Sequence, residues 1–218
     1  MKKSLFRSYF RKYHIVYLIV SYIFVFPIFR FVFRGKISGK NNLPKNGPLI
    51  VVSNHGSLLD PPFLGHALGR RISFMAKSEL FRIPFLSQII SACGAYPVKR
   101  GAGDRQAIRS AEAKLANNSA IGIFIDGTRQ SNGRVNQPKS GAALIAARTN
   151  CNIIPVAIIN SHKSYLKEGF SPKLRPVHIR VGELIQFPAS TKKNDIYATT
   201  IIIKEKINDL IDCGLIND

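Results

Sequence analysis

Asn54-His55-Gly56-Ser57-Leu58-Leu59-Asp60 places a histidine and a carboxylate five positions apart, just after the apolar run Pro48-Leu49-Ile50-Val51-Val52. Asp60 is the first acidic residue of the chain. A neutral imidazole has one donor and one acceptor nitrogen, and a carboxylate on the donor side fixes the tautomer. The other nitrogen can then take a proton from a hydroxyl, and the carboxylate stabilises the imidazolium that forms. No protein nucleophile accompanies the pair. Ser57 is close, but no Gly-x-Ser-x-Gly turn surrounds it. A base without a nucleophile implies that a substrate hydroxyl attacks directly. Alone the pair is a weak signal, because the same spacing also describes a surface turn with a capping aspartate.

Such a pair works only on a rigid support. Residues 49–53 read as a fully apolar strand, and Asp60-Pro61-Pro62 as a helix start with Asp60 as N-cap. Further strands are expected at 37–39, 72–76, 96–98, 121–125, 153–159 and 177–181. Helices are expected at 85–92, 104–116, 141–148 and 195–212. Apolar strands alternating with helices predict an α/β fold: a single domain with a mixed, largely parallel sheet covered by helices on both faces. In such sheets ligands collect beyond the carboxyl ends of the strands.

Before this domain lies a different kind of segment. Ile15 to Phe29 is uncharged, and as a helix it would run roughly 22 Å against a hydrocarbon core of about 30 Å. Pro27 is expected to kink or end it. Basic residues flank both sides: Lys2, Lys3, Arg7, Arg11 and Lys12 before, Arg30, Arg34 and Lys36 after. The charges therefore set no orientation. A spanning helix with Arg30 snorkelling, and a kinked helix or hairpin in one leaflet, both fit. The bulky Phe31-Val32-Phe33-Arg34 disfavours a cleaved signal peptide, and apolar residues on nearly every face disfavour a core helix. Residues 1–34 are read as a membrane-associated helix or helical hairpin, and 35–218 as the catalytic α/β domain.

The net charge of +20, from 32 Lys and Arg against 12 Asp and Glu, calls for anionic partners. Cys93, Cys151 and Cys213 are far apart and odd in number, so neither a disulfide framework nor a zinc site is supported; buried, reduced thiols facing the cytoplasm are expected. His14, His66, His162 and His178 lack metal-ligand spacing and are read as structural or solvated. No metal and no cofactor are expected.

Further blocks strengthen the opening pair. Gly94-Ala95-Tyr96-Pro97-Val98-Lys99-Arg100 and Phe124-Ile125-Asp126-Gly127-Thr128-Arg129 each end a strand in basic residues, and Lys139-Ser140-Gly141 opens a helix. Arg100, Arg129 and Lys139 are candidates to converge beside His55, where arginine offers a planar match to phosphate oxygens. Lys139 also reads simply as a basic residue at a helix start.

The order Asn-His-x-x-x-x-Asp, Gly-x-x-Pro-Val-x-Arg, Phe-x-Asp-Gly-Thr-Arg and Ile-Pro-Val resembles the glycerolipid acyltransferase family, and within it the bacterial-type 1-acylglycerol-3-phosphate branch. The resemblance runs from about Ile37 to Ile159. It implies that His55 deprotonates the acceptor hydroxyl and that Asp60 orients it. The hydroxyl then attacks the thioester of acyl-CoA or acyl-carrier protein, without an acyl-enzyme. It implies that Arg100 binds the phosphate of a lysophospholipid acceptor, with Asp126, Gly127, Thr128 and Arg129 lining the same pocket. Asn54, Lys77 and Lys139 are weaker site candidates, and Pro155 a shaping element. Lys77 with Glu79 also reads as an exposed ion pair. The family usually carries glutamate where this chain has Asp126, which bears on the acceptor more than on the chemistry.

The expected function is acylation of 1-acyl-glycerol 3-phosphate to phosphatidic acid on an anionic membrane surface, with the catalytic domain facing the cytoplasm. The same chemistry on another lysophospholipid, glycerol 3-phosphate or a non-phosphorylated alcohol is the nearest alternative. A non-catalytic basic protein binding membrane or nucleic acid is the alternative of another class. No nucleic-acid motif is present, so no nucleic acid is expected as a partner.

Overall fold

The computed structural model describes residues 15–98, 105–164 and 174–216. Seven strands form one sheet: β1 (Lys36–Ser38), β2 (Leu49–Ser53), β3 (Ile72–Lys77), β4 (Tyr96–Val98), β5 (Ala120–Phe124), β6 (Ile153–Ile159) and β7 (His178–Val181). Their spatial order is β1-β7-β6-β2-β5-β3-β4. The pairs from β6 through β4 are all parallel, β7 runs antiparallel to β6, and β1 is parallel to β7. The sheet is thus mixed and largely parallel, as expected.

The central strands are buried on both faces, which is why they read as unbroken apolar runs. Leu49 and Val51 of β2 face one core with Ile154, Val156 and α2 (Asp60–Leu68). Ile50 and Val52 face the other, with α4 (Arg105–Ala116), α5 (Gly141–Thr149) and α6 (Lys193–Asp212). The remaining helix, α3 (Leu86–Ala92), follows a short tight turn over Ser78–Arg82. Parallel pairing places the carboxyl ends of β2, β3, β4, β5 and β6 along one edge. The segments after them therefore meet there, and these carry the predicted site.

The N-terminal helix α1 (Ile15–Val32) continues through Pro27 instead of ending there. The winding on both sides is the wider kind, with Phe26 N–H bonded to Ser21 O and Phe33 N–H to Ile28 O. One extra residue per turn relieves the clash that a proline ring makes in an ordinary helix. One side of α1 lies on the domain. Tyr17 Oη donates to Gly65 O at 2.7 Å, Ser21 Oγ meets His66 Nδ1 at 3.0 Å, and Phe29 and Phe33 pack on Phe63. Gly35 has no side chain for a reason: a Cβ there would fall 2.4 Å from the Phe29 ring. The other side of α1 exposes Ile15, Ile19, Ile23, Phe24, Phe31 and Val32.

All three cysteines are free, but only Cys151 is buried; Cys93 is half-buried and Cys213 is exposed. The sequence expectation of three buried thiols is corrected accordingly. Cys213 caps the end of α6, where the chain leaves the core.

Candidate active site

Asp60 is not an N-cap. It is the first residue of α2, with Leu59 before it, and its carboxylate folds back over the preceding turn. Oδ2 accepts three hydrogen bonds: from His55 Nδ1 at 2.8 Å, Gly56 N–H at 2.7 Å and Ser57 N–H at 2.8 Å. The side chain is 0 % exposed. A buried carboxylate at a helix start is favoured by the helix dipole and by charge-assisted bonds. An ionised carboxylate only accepts, so the proton sits on Nδ1 of His55 and Nε2 is left as the acceptor. Ser57 is occupied by the turn, where its Oγ accepts from Leu59 N–H at 3.2 Å. It is not placed as a nucleophile.

The imidazole is held on its face as well. Phe124, at the end of β5, stacks on His55 with ring centroids 4.0 Å apart and planes within 17°. Phe74 of β3 stacks on Phe124 in turn, at 5.4 Å and 17°. Gly122 makes room for this column, since a Cβ there would fall 2.1 Å from the Phe74 ring. His55 itself is 13 % exposed.

Asn54 is fully buried and works as a stitch. Its amide donates to Gly133 O at 2.7 Å and Ile158 O at 2.8 Å, and its Oδ1 accepts from Ile158 N–H at 2.8 Å. It ties the end of β2 to β6 and to the loop 126–139. That loop also reaches His55 directly, through Gln130 N–H to His55 O at 2.8 Å.

Asp126 turns inward. Its Oδ1 accepts from Gln137 N–H at 2.9 Å, its Oδ2 is buried without a partner, and the residue is 4 % exposed. Burial pushes its carboxyl above the ordinary aspartate range, against the opposing pull of the Gln137 and Asn136 amides. The carboxylate thus closes the loop 126–139. Gly127, Thr128 and Arg129 are exposed on the same loop. Gly127 has φ +69, and the Lys139 side chain runs along it, with Nζ 3.1 Å from where a Cβ would be. The structure therefore brings Lys139 beside the Gly127–Arg129 rim.

The other candidates sit as follows. Lys77 is exposed at the end of β3, and Glu79 bonds its neighbour Ser78 and not Lys77. Pro155 is buried in β6 beside Val52, and its ring lies near Leu210 of α6. Arg100 lies outside the described residues. Among the described residues no group of three or more His, Cys, Asp and Glu could hold a metal ion.

Two features of the site were not singled out from sequence. In the sequence Phe124 is only part of a strand block; its partnership with His55 follows from the register that pairs Ser53 with Phe124. His162 packs behind the site. A Cβ on Gly56 would meet its backbone at 2.8 Å, and one on Gly133 would meet its Nδ1 at 2.1 Å. Burial holds the His162 imidazole below its usual range, with Lys163 adding to the effect. No local pattern marks either residue, because both act across strands.

Comparison with known proteins gives a consistent picture. Residues 34–159 match the profile of the Acyltransferase family. A 1-acyl-sn-glycerol-3-phosphate acyltransferase of Borreliella burgdorferi is 28% identical over 181 residues, covering 80% of this chain and 70% of the relative. A chloroplastic 1-acyl-sn-glycerol-3-phosphate acyltransferase of Arabidopsis thaliana is 30% identical over 177 residues, covering 80% of this chain and 48% of the relative, so the chain spans about half of that protein. The crystal structure of the 1-acyl-sn-glycerophosphate acyltransferase of Thermotoga maritima superposes with a TM-score of 0.78 at 24% identity, covering 98% of this chain and 88% of that one. At that identity the likeness concerns the fold.

Proposed function

The chain belongs to the acyltransferase family, and we propose that it transfers an acyl group from acyl-CoA or acyl-carrier protein to the free hydroxyl of 1-acyl-glycerol 3-phosphate, forming phosphatidic acid. The observation that carries this reading is the triple bonding of Asp60 Oδ2, which fixes the His55 tautomer and leaves Nε2 as the base. Nε2 takes the hydroxyl proton as the oxygen attacks the thioester carbonyl. The tetrahedral intermediate collapses, the C–S bond breaks, and the thiolate recovers the proton from the imidazolium. Asp60 stabilises that imidazolium without taking the proton itself. The exposed rim of Gly127, Thr128, Arg129 and Lys139 supports binding of the acceptor phosphate, with Arg100 as a further candidate.

The membrane supplies the acceptor. Tyr17, Ser21, Phe29 and Phe33 contact the domain from one end of α1 to the other. A helix docked along its length leaves only its outer face for lipid, which favours insertion into one leaflet over spanning. Residues 1–34 then form the membrane-associated part and 35–218 the catalytic domain, facing the cytoplasm where both donors are found.

Purified protein with lysophosphatidic acid, a panel of other acceptors and matched donors tests the reading, with product identified by mass. His55→Ala is expected to abolish transfer while acceptor binding survives. Asp60→Asn keeps the shape but offers the wrong partner to Nδ1, and is expected to lower kcat by roughly a thousandfold or more. Near-normal turnover in His55→Ala would overturn the mechanism, and acylation of uncharged alcohols alone would overturn the acceptor.

A further inference from the structure

We propose that the segment from Leu80 to Ile89 is a second membrane contact, which enters the headgroup region of an anionic bilayer beside α1 and presses the catalytic edge of the sheet toward lipid. The proposal rests on the membrane-docked reading of α1. Single exposed apolar side chains are ordinary, but here they are crowded. Within ten residues Leu80, Ile83, Phe85 and Ile89 are exposed, Phe85 by 78 %.

The backbone makes the exposure more telling. Phe85 has φ 64 and ψ −55, and Leu86 N–H bonds Pro84 O at 2.7 Å across it. This is a γ-turn of the rare, strained hand, with a bulky aromatic at its centre. Strain of this kind persists where the surroundings or the function require it. Among the described residues no aromatic partner holds the ring, so the turn presents it outward to solvent, where an apolar surface gains nothing.

Position and charge point to lipid as the occupant. The segment leaves the carboxyl end of β3, the edge at which His55 stands, and Phe74 of β3 belongs to the His55 stack. Just past the far end of α3, Cys93 lies near enough to Tyr17 of α1 to push the Tyr17 hydroxyl further up. The seven residues of α3, about 10 Å as a helix, therefore run between the exposed segment and the neighbourhood of α1. Lys77 and Arg82 are exposed beside the apolar residues, suited to headgroup phosphates. With Glu79 between them the stretch stays net positive, in a chain of net charge +20, which suits an anionic surface better than a second copy of itself.

The chain has no tryptophan, so a single introduced one reports its own surroundings. Full-length Phe85→Trp, Ile83→Trp, Phe24→Trp on the outer face of α1, and Tyr197→Trp on exposed α6 are mixed with anionic phosphatidylglycerol vesicles carrying brominated acyl chains. Quenching of Phe85→Trp, Ile83→Trp and Phe24→Trp, but not of Tyr197→Trp, is the expected result. Quenching of Phe24→Trp alone overturns the second contact and leaves membrane docking of α1 intact. No quenching at any site overturns both. A blue-shifted Phe85→Trp emission that depends on protein concentration without vesicles identifies a second copy as the occupant and overturns the proposal. Separately, Phe85→Glu is expected to weaken vesicle binding roughly tenfold or more, with transfer to a short-chain soluble acceptor unchanged. Unchanged vesicle binding counts against the proposal.

Discussion

Phe124 and His55 lie ring on ring, 4.0 Å between centroids and nearly parallel, across the pairing of β5 with β2. One edge of the imidazole is fixed by Asp60 and one face by this phenyl ring. Removing either restraint leaves the imidazole present but less well aimed.

Phe124→Ala is accordingly expected to lower kcat about tenfold to a hundredfold, with KM for the acceptor nearly unchanged. Phe124→Tyr, which keeps the stacked ring, is expected to retain most of the rate. Steady-state kinetics on both variants decide it. An equal loss in the two would assign the effect to packing in general.

Asn54→Ala removes four buried hydrogen bonds, one of them from Ser53 Oγ, and leaves Gly133 O, Ile158 O and Ile158 N–H unpaired. Each orphaned group costs on the order of 1–3 kcal/mol. A destabilisation of about 3 kcal/mol or more is expected in denaturant unfolding. A loss under about 1 kcal/mol would mean that the stitch is replaceable.

Asp126 makes a prediction in pH. Its carboxyl is raised in the folded state by burial, so the native protein holds this proton longer than the unfolded chain does. Stability from this group is therefore present at low pH and declines as pH rises above the ordinary aspartate value of about 4. Asp126→Asn keeps an acceptor for Gln137 N–H and does not titrate. Its Tm is expected to fall less than that of the parent between pH 4 and pH 7, while transfer activity stays within about threefold. Parallel Tm curves would show that the buried carboxylate is not strained, and a large loss of activity would return Asp126 to the acceptor pocket.

Much of this architecture is legible in the sequence because each strand is decided locally. Residues 153–159 and 96–98 are strands as read, and Leu49–Ser53 is buried at every position, as an uninterrupted apolar run requires. The amphipathic helix expected at 104–116 is seen as α4, Arg105–Ala116. The His55–Asp60 pair is legible once the later blocks support its spacing, whereas the origin of its rigidity is not. The inward turn of Asp126 depends on Gln137, and the stack depends on a gap at Gly122 that Phe74 fills from the next strand. Pro27 does not end α1, since a wider winding absorbs what an ordinary helix cannot. Pattern reading sees neighbours along the chain; these arrangements are between neighbours in space.

Helix α2 begins with Asp60 and is gripped by α1 at Gly65 and His66, five and six residues later. The hydrogen-bond partner of His55 and the foothold of α1 are thus about 8 Å apart along one helix. On the proposed seating of α1 in one leaflet, a change in how deeply it sits would reach His55 through this one helix, which would make bilayer thickness an input to the site.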